Sequence, residues 1–407
     1  MIIKKEEGIT SPKGFMAAGD HVGIKKCKKD LAIIYSEKPA LCSAVFTKNV
    51  VKAAPLKLAI KVLSENNHIS AIAINSGNAN ACTGEQGYID ALDSSKTLAN
   101  CLNLKENEVL VSSTGVIGKL LDRDVILNGI KEVSKKLSNS KENAENCAEA
   151  IMTTDTFKKQ ITVEIEIEGK PVKISGIAKG SGMIHPNMAT MLGFLTTDIN
   201  ITKEMLDKAF KSNIDDSFNM ITVDGETSTN DTCLVLANGM AENKLIDKED
   251  ENFNKFKDAV EYVTKYLAKK IVEDGEGSTK FLEVNIKGAH SKEDAKVLCK
   301  AILNSQLVKT AFFGKDANWG RILSAMGASG VTFNPDKVKI SFRNEIGNID
   351  LYENGVPYKF DEDFALEILE MQEIKIDVSL QEGNGEITGW GCDLSYEYVR
   401  INAEYRT

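Results

Sequence analysis

"QITVEIEIEG", Gln160 to Gly169, alternates apolar and polar residues almost without a break. A β-strand turns successive side chains to opposite faces. The pattern therefore predicts a half-buried strand with its isoleucines and valine on a core and its glutamates in water. Shorter apolar runs around it read as further strands: Ala71–Ile74, Val109–Val111, "FLEVNIKG", "KVKISF", "IKIDVSL" and "SYEYVRINA". Helical spacing recurs at Val125, Ile126, Ile130, Val133 and Leu137, and again at Met205, Leu206, Ala209 and Phe210. It also runs through residues 250–272 and marks Val297, Leu298, Ala301 and Ile302. Strands and helices mix without strict strand–helix–strand order. That predicts an α/β fold, a layered α/β sandwich with antiparallel or mixed sheets. Ser11–Lys25, "SPKGFMAAGDHVGIK", reads as loop, and Ser138–Cys147, "SNSKENAENC", as an exposed polar stretch.

The chain has 407 residues, long for one hydrophobic core, which points to two or three domains. Apolar content of 42% and charged content of 27% are those of an ordinary folded protein. The net charge of −9, without a basic run, argues against nucleic acid as a partner. It leaves room for a local basic pocket that takes a small acid. No stretch nears the roughly 18 apolar residues of a membrane span. "MIIKKEEGITSPKGF" at the start has no apolar signal core. Eight scattered cysteines without a CxxC pair read as the reduced thiols of a cytoplasmic protein. Neither the four histidines nor "GEGSTK" has the spacing of a zinc site or a phosphate loop, so neither a metal nor a bound nucleotide is expected.

Candidate chemistry concentrates in "GSGMIHPNMATMLGFLTTD", Gly180 to Asp198. Ala189-Thr190 there has two readings. One is a loop entering a buried element. The other is a bond that cuts itself and leaves Thr190 as a new N-terminus. A threonine hydroxyl needs a base. A freed α-amino group, with a pKa of about 7.7–8.0, would supply one on the same residue. Gly180, Gly182 and Pro186 suit the sharp turn such a cut requires, and Asn187 can satisfy it. Ser112-Ser113-Thr114-Gly115 is either a strand-ending turn or a hydroxyl beside an unhindered N–H, the makings of an oxyanion hole. Lys179 is a surface charge or a partner for a substrate carboxylate. Glu276 is a turn acid or a holder of a substrate ammonium. Thr153 and Thr154 have capping as their plain role. Gly314–Arg321, "GKDANWGR", is a functional loop or a salt-bridged corner. The tail "RINAEYRT" either frays or docks, bringing Asn402 and Thr407 to a pocket.

Taken together, "NSGNANACTG", "SSTGVIG", "AIMTTDT", "KGSGMIHPNMATML", "ITVDGETSTND", "VEDGEGSTK", "NWGRILSAMG" and "INAEYRT" resemble the glutamate N-acetyltransferases, or ornithine acetyltransferases, of arginine biosynthesis. The resemblance covers essentially the whole chain. It implies self-cleavage between Ala189 and Thr190, giving an α chain of residues 1–189 and a β chain of residues 190–407. Thr190 would be the nucleophile, with Thr114 and Gly115 as the oxyanion pair. Thr153, Lys179, Thr190, Glu276, Asn402 and Thr407 match the family's substrate-binding positions. The implied reaction moves acetyl from N2-acetyl-L-ornithine to L-glutamate through an acetyl-threonyl ester, without a cofactor. Some members also take acetyl-CoA as donor. The family's fold is related to that of β-peptidyl aminopeptidases, and two α and two β chains usually assemble. Two rivals remain: an N-terminal-threonine aminopeptidase or amidase of the same fold, and a non-catalytic binding protein.

Overall fold

The computed structural model describes residues 1–185 and 191–404. From the N-terminus the elements are β1 (Ile2–Lys4), β2 (Phe15–Asp20), β3 (Leu31–Phe46), α1 (Ala54–Glu65), β4 (His68–Asn78), α2 (Gly84–Leu102) and β5 (Val109–Val116). Next come α3 (Arg123–Ser134), α4 (Lys141–Ala150), β6 (Lys159–Ile167) and β7 (Lys170–Lys179). Then follow β8 (Leu192–Thr197), α5 (Lys203–Asp215), β9 (Ile221–Thr222), β10 (Thr232–Ala237) and α6 (Glu251–Glu273). The last third holds β11 (Phe281–Ala289), α7 (Lys292–Asn304), α8 (Gln306–Phe313), α9 (Trp319–Gly327), β12 (Lys339–Arg343), β13 (Asn348–Glu353) and β14 (Val356–Pro357). It closes with α10 (Glu362–Glu370), β15 (Glu373–Ser379), β16 (Gly385–Cys392) and α11 (Tyr396–Glu404).

The strands form two sheets. The larger runs β1-β6-β7-β8-β10-β3-β4-β5, with β2 also paired to β3. The smaller runs β14-β13-β12-β15-β11-β16-β9. Both are mixed. In the larger sheet β8/β10 and β4/β5 are parallel, and in the smaller β11/β15 and β9/β16. The sandwich expectation holds. Gln160–Gly169 lies on β6, where Ile161, Val163, Ile165 and Ile167 are buried and Glu166 is exposed.

One buried cluster joins the two sheets. It runs from Ile161 and Val163 of β6, through Phe256, Val263 and Leu267 of α6, to Val284 and Ile286 of β11 and Leu298 of α7. Each such side chain contributes roughly 1.5–3 kcal/mol when fully buried. That anchors α6 against the large sheet, and the length of the chain does not divide into separate cores there. A second cluster covers the other face of the large sheet with Ile33, Ile72, Ile130 and Cys147.

Three local expectations fail for identifiable reasons. Ser11–Lys25 contains β2, whose Ala17 and Ala18 are small but fully buried against β3 and α4. Ser138–Cys147 enters α4. Ser140 caps it, accepting from the Asn143 N–H at 3.2 Å, and Ala144, Cys147 and Ala148 form its buried stripe. "SYEYVRINA" is helical, not extended: it forms α11. Ser395 Oγ donates to the Gly277 carbonyl at 2.6 Å and accepts from the Tyr398 N–H at 3.4 Å, fixing the helix start. Tertiary anchoring thus overrides the β-preference of its tyrosines and valine. Among the described residues no helix is long and apolar enough to cross a membrane. All eight cysteines are free.

Candidate active site

The ends of β5, β7, β8 and β10 converge on a cavity of about 330 Å³. Its walls include Thr114, Gly115, Thr153, Lys179, Glu276 and Asn402. Six positions singled out in the sequence, spread over almost 300 residues of chain, therefore share one space. Ala189, Thr190 and Thr407, with Pro186 and Asn187, lie outside the described residues.

Ser112 to Gly115 belong to β5 itself, not to a turn after it. β4 extends beyond its apolar run and pairs in parallel, Ser113 with Asn75, Thr114 with Ser76 and Gly115 with Gly77. Ser113 Oγ donates to Asn75 Oδ1 at 2.6 Å, and Asn230 Nδ2 donates to the Ser113 carbonyl at 2.8 Å. Gly115 sits at φ +131, and a Cβ there would lie 2.4 Å from the Gly77 carbonyl carbon. Only glycine meets both conditions.

Lys179 closes β7 and is buried, not a surface charge; 8% of it is exposed. Its Nζ donates to Thr114 Oγ1 at 3.4 Å. Burial lowers its pKa, and Asp155 works against that shift. Glu276, 9% exposed, follows α6. The Glu276 N–H donates to the Ser181 carbonyl at 3.0 Å, and Asn402 Nδ2 of α11 donates to Glu276 Oε2 at 2.8 Å. The helical spacing of Tyr398 and Asn402 places both on one face. Tyr398 OH donates to Asp224 Oδ2 at 3.3 Å. Thr153 has its N–H on Asp155 Oδ2 at 2.9 Å. The cavity thus presents a cation, an acid, hydroxyls and an amide. That set can grip both ends of a small zwitterion.

Sequence reading missed part of the wall. Ser228, Thr229, Asn230 and Asp231, just before β10, line the same cavity. They stand in "ITVDGETSTND", one of the stretches that carry the resemblance, in which no residue draws a role from the sequence. Asp231 is 2% exposed, and its Oδ2 has no hydrogen-bond partner among the described residues. Burial lifts its carboxyl well above the usual carboxylate range, against the pull of Ser228, Thr47 and Lys179. It is the acid in this cavity best suited to hold a proton. His185 is held down to about 4, chiefly by burial and further by Lys300, so its imidazole is neutral at physiological pH. "GKDANWGR" takes no part in the cavity wall. It is a structural corner: Asn318 caps α9, Trp319 stacks on Tyr352, and Arg321 Nη1 donates to the Leu307 carbonyl at 2.8 Å. Among the described residues, no cluster of three histidine, cysteine or acidic side chains could hold a metal ion.

Two mixed sheets packed through α6, with a polar cavity at strand ends of the larger one, define an α/β sandwich with a zwitterion-sized site. Residues 16–407 match the family model described as ArgJ family. The chain belongs to the ArgJ family. It is 54% identical over 399 residues to the arginine biosynthesis bifunctional protein ArgJ of Caldanaerobacter subterraneus, covering 98% of each chain. It is 50% identical over 397 residues to the protein of that name from Thermotoga neapolitana, covering 97% of this chain and 99% of the relative. A solved chain of the Bacillus halodurans protein of that name is 45% identical, with a TM-score of 0.45 over 46% of this chain and 97% of that one.

Proposed function

We propose that the protein is an acyltransferase of arginine biosynthesis, a glutamate N-acetyltransferase that moves acetyl from N2-acetyl-L-ornithine to L-glutamate. The observation that carries this reading is the gathering of Thr114, Gly115, Lys179, Glu276 and Asn402 around one cavity of about 330 Å³. Membership of a family whose curated relatives are named for arginine biosynthesis supports the pathway.

The chain cuts itself between Ala189 and Thr190 into α (1–189) and β (190–407) chains. The freed Thr190 amine takes the proton of its own hydroxyl as Oγ attacks the acetyl carbonyl. Thr114 Oγ1 and the Gly115 N–H steady the oxyanion. Ornithine departs carrying a proton from the Thr190 ammonium. Glutamate then attacks the acetyl-threonyl ester, gives up a proton to the amine, and leaves as N-acetylglutamate. Lys179 binds the α-carboxylate shared by both substrates, and Glu276, steadied by Asn402, binds the side-chain ammonium of ornithine. Thr153 and Thr407 complete the substrate site. Glutamate acetylation with acetyl-CoA as sole donor tests whether acetyl-CoA also serves. Two α and two β chains assemble, in the cytoplasm.

The test is to incubate acetylornithine with and without glutamate. N-acetylglutamate should form in step with ornithine, and only when glutamate is present. Ornithine release that ignores glutamate would make the protein an amidase instead. A second expectation concerns Glu276. A Cβ at Gly182 would sit 2.4 Å from the Glu276 carboxyl carbon. Gly182→Ala should keep its thermal midpoint, because the obstructed atoms end a flexible side chain. Losing one charge-assisted contact, about 1.5–3 kcal/mol, should raise KM for acetylornithine roughly ten- to hundredfold. An unchanged KM would remove Glu276 from the substrate site.

A further inference from the structure

Lys179 is a buried cation left open. Among the described residues it has no ion pair within 4 Å, and its one hydrogen bond, to Thr114, is long at 3.4 Å. Asp155 lies nearby, but its oxygens are already taken. Lys159 Nζ and the Gly180 N–H both donate to Oδ1 at 2.7 Å, and the Thr153 N–H donates to Oδ2 at 2.9 Å. Lys159 Nζ also donates to Asp274 Oδ2 at 2.5 Å. The side chains of Lys159 and Asp155 are 0% exposed and that of Asp274 is 2% exposed.

This triad ties three pieces of the cavity wall together. Asp155 holds the segments at Thr153 and Gly180. Asp274 accepts from the Thr156 N–H at 3.0 Å, and its carbonyl accepts from Ser181 Oγ at 2.5 Å, two residues before Glu276. Two acids and one lysine leave it one negative charge, facing the positive Lys179. A buried ion group is weak evidence for stability by itself. Its geometry here has a more specific effect: Lys159 occupies Asp155, the acid that Lys179 would otherwise take.

We propose that Lys159 is a positioning residue. By saturating Asp155 it keeps the Lys179 ammonium out of a closed internal ion pair and available to the carboxylate of the amino-acid substrate. The inference rests on Lys179 being the carboxylate-binding group of the proposed acetyl transfer. Without Lys159, a buried carboxylate would be left uncompensated. Lysine has a flexible four-carbon stem, so Lys179 would fold back onto it.

The charges facing Lys179 are Asp155, Lys159, Asp231, Glu276 and Lys25. Burial lowers the Lys179 pKa, Asp155 opposes this and Lys159 adds to it. The charged form binds a carboxylate, so binding is present below that pKa and lost as pH rises through it. Removing Lys159 moves this alkaline limb up; removing Asp155 moves it down.

The experiment is steady-state kinetics of the self-processed enzyme across pH, for wild type, Lys159→Met, Lys159→Met/Asp155→Asn, Asp155→Asn and Lys179→Met. Lys159→Met should raise KM for acetylornithine and glutamate by about tenfold or more, change kcat little, and shift the limb upward. The double variant should recover most of that loss, because the captor is gone. A merely structural role predicts a double variant at least as impaired as the single, and that result would overturn the proposal. So would a Lys159→Met KM within about twofold of wild type while Lys179→Met is impaired. If Lys179→Met itself leaves KM unchanged, the role of Lys179 in carboxylate binding fails first. Where Lys159→Met does not fold, Asp155→Asn decides. Its limb should fall to lower pH, and an unmoved limb rejects the idea.

Discussion

Thr190→Ala should remain one uncut chain of 407 residues and lose acetyl transfer by about 10⁴-fold or more. Two losses combine in it. Alanine has no oxygen to attack the preceding carbonyl, so the Ala189–Thr190 bond survives. The α-amine that serves as base is therefore never released, and the ester-forming oxygen is missing as well. Groups acting as one unit fail together, so removing the hydroxyl should cost nearly everything the pair provides. Intact-mass measurement reads the first loss and the acetylornithine–glutamate assay reads the second. Thr190→Ser, which keeps an oxygen in place, should still process. Two fragments from purified Thr190→Ala would separate cleavage from this hydroxyl. An uncut wild-type chain would favour the non-catalytic binding protein.

Gly115→Ala should be nearly as damaging, through the backbone. A Cβ there meets the Gly77 carbonyl carbon at 2.4 Å and the Asn78 nitrogen at 2.6 Å, atoms that cannot swing aside. The φ of +131 adds strain for any L side chain. β5 would have to part from β4 at the Gly115–Gly77 pair, next to Thr114, moving both proposed oxyanion donors. Loss of one such donor costs about 10²–10³ in kcat. Strain of about 1–3 kcal/mol should also lower the thermal midpoint by several degrees. Because self-cleavage and acetyl transfer would draw on the same donors, the cut should slow as well. A time course of chain separation on a denaturing gel, followed by kcat, checks both. Wild-type processing and turnover in this variant would take Gly115 out of the chemistry.

Legibility in the sequence followed the strength of each local signal. β6 was readable because Ile161, Val163, Ile165 and Ile167 alternate with polar residues, and α6 because its buried side chains recur over 23 residues. α4 was hidden because its core face consists of Ala144, Cys147 and Ala148, too small to outweigh the surrounding charges. α11 was misread because its fixing contacts, to Gly277, Asp224 and Glu276, lie more than 100 residues away. The same distinction applies to the site. Thr114, Lys179 and Glu276 stand in distinctive motifs, and their neighbours in space could be anticipated from the family resemblance. Asp231 closes one of those motifs, "ITVDGETSTND", but nothing in the stretch gives it a role. Its significance lies in burial and an unpaired oxygen, which only the packing of Thr47, Ser228 and Lys179 around it creates. Lys159 likewise reads as one lysine among many until its two acids surround it.

The order of the large sheet bears on how a self-cutting chain is made. Seven of its nine strands precede the proposed cut, but β8 and β10, which follow it, lie at the centre, between β7 and β3. Six residue pairs join β8 to β7, and six join β10 to β3. Synthesis of the first half alone would leave two raw sheet margins facing an empty slot, an invitation to pairing with other chains. The second half alone would carry β8 and β10, normally buried along their whole length and paired with each other, with both outer margins unpaired. Covalent continuity is thus needed to bring the middle of the sheet home, and dispensable once it is there. A cut at the proposed position would therefore belong after assembly, and its products would stay interlocked without a linker.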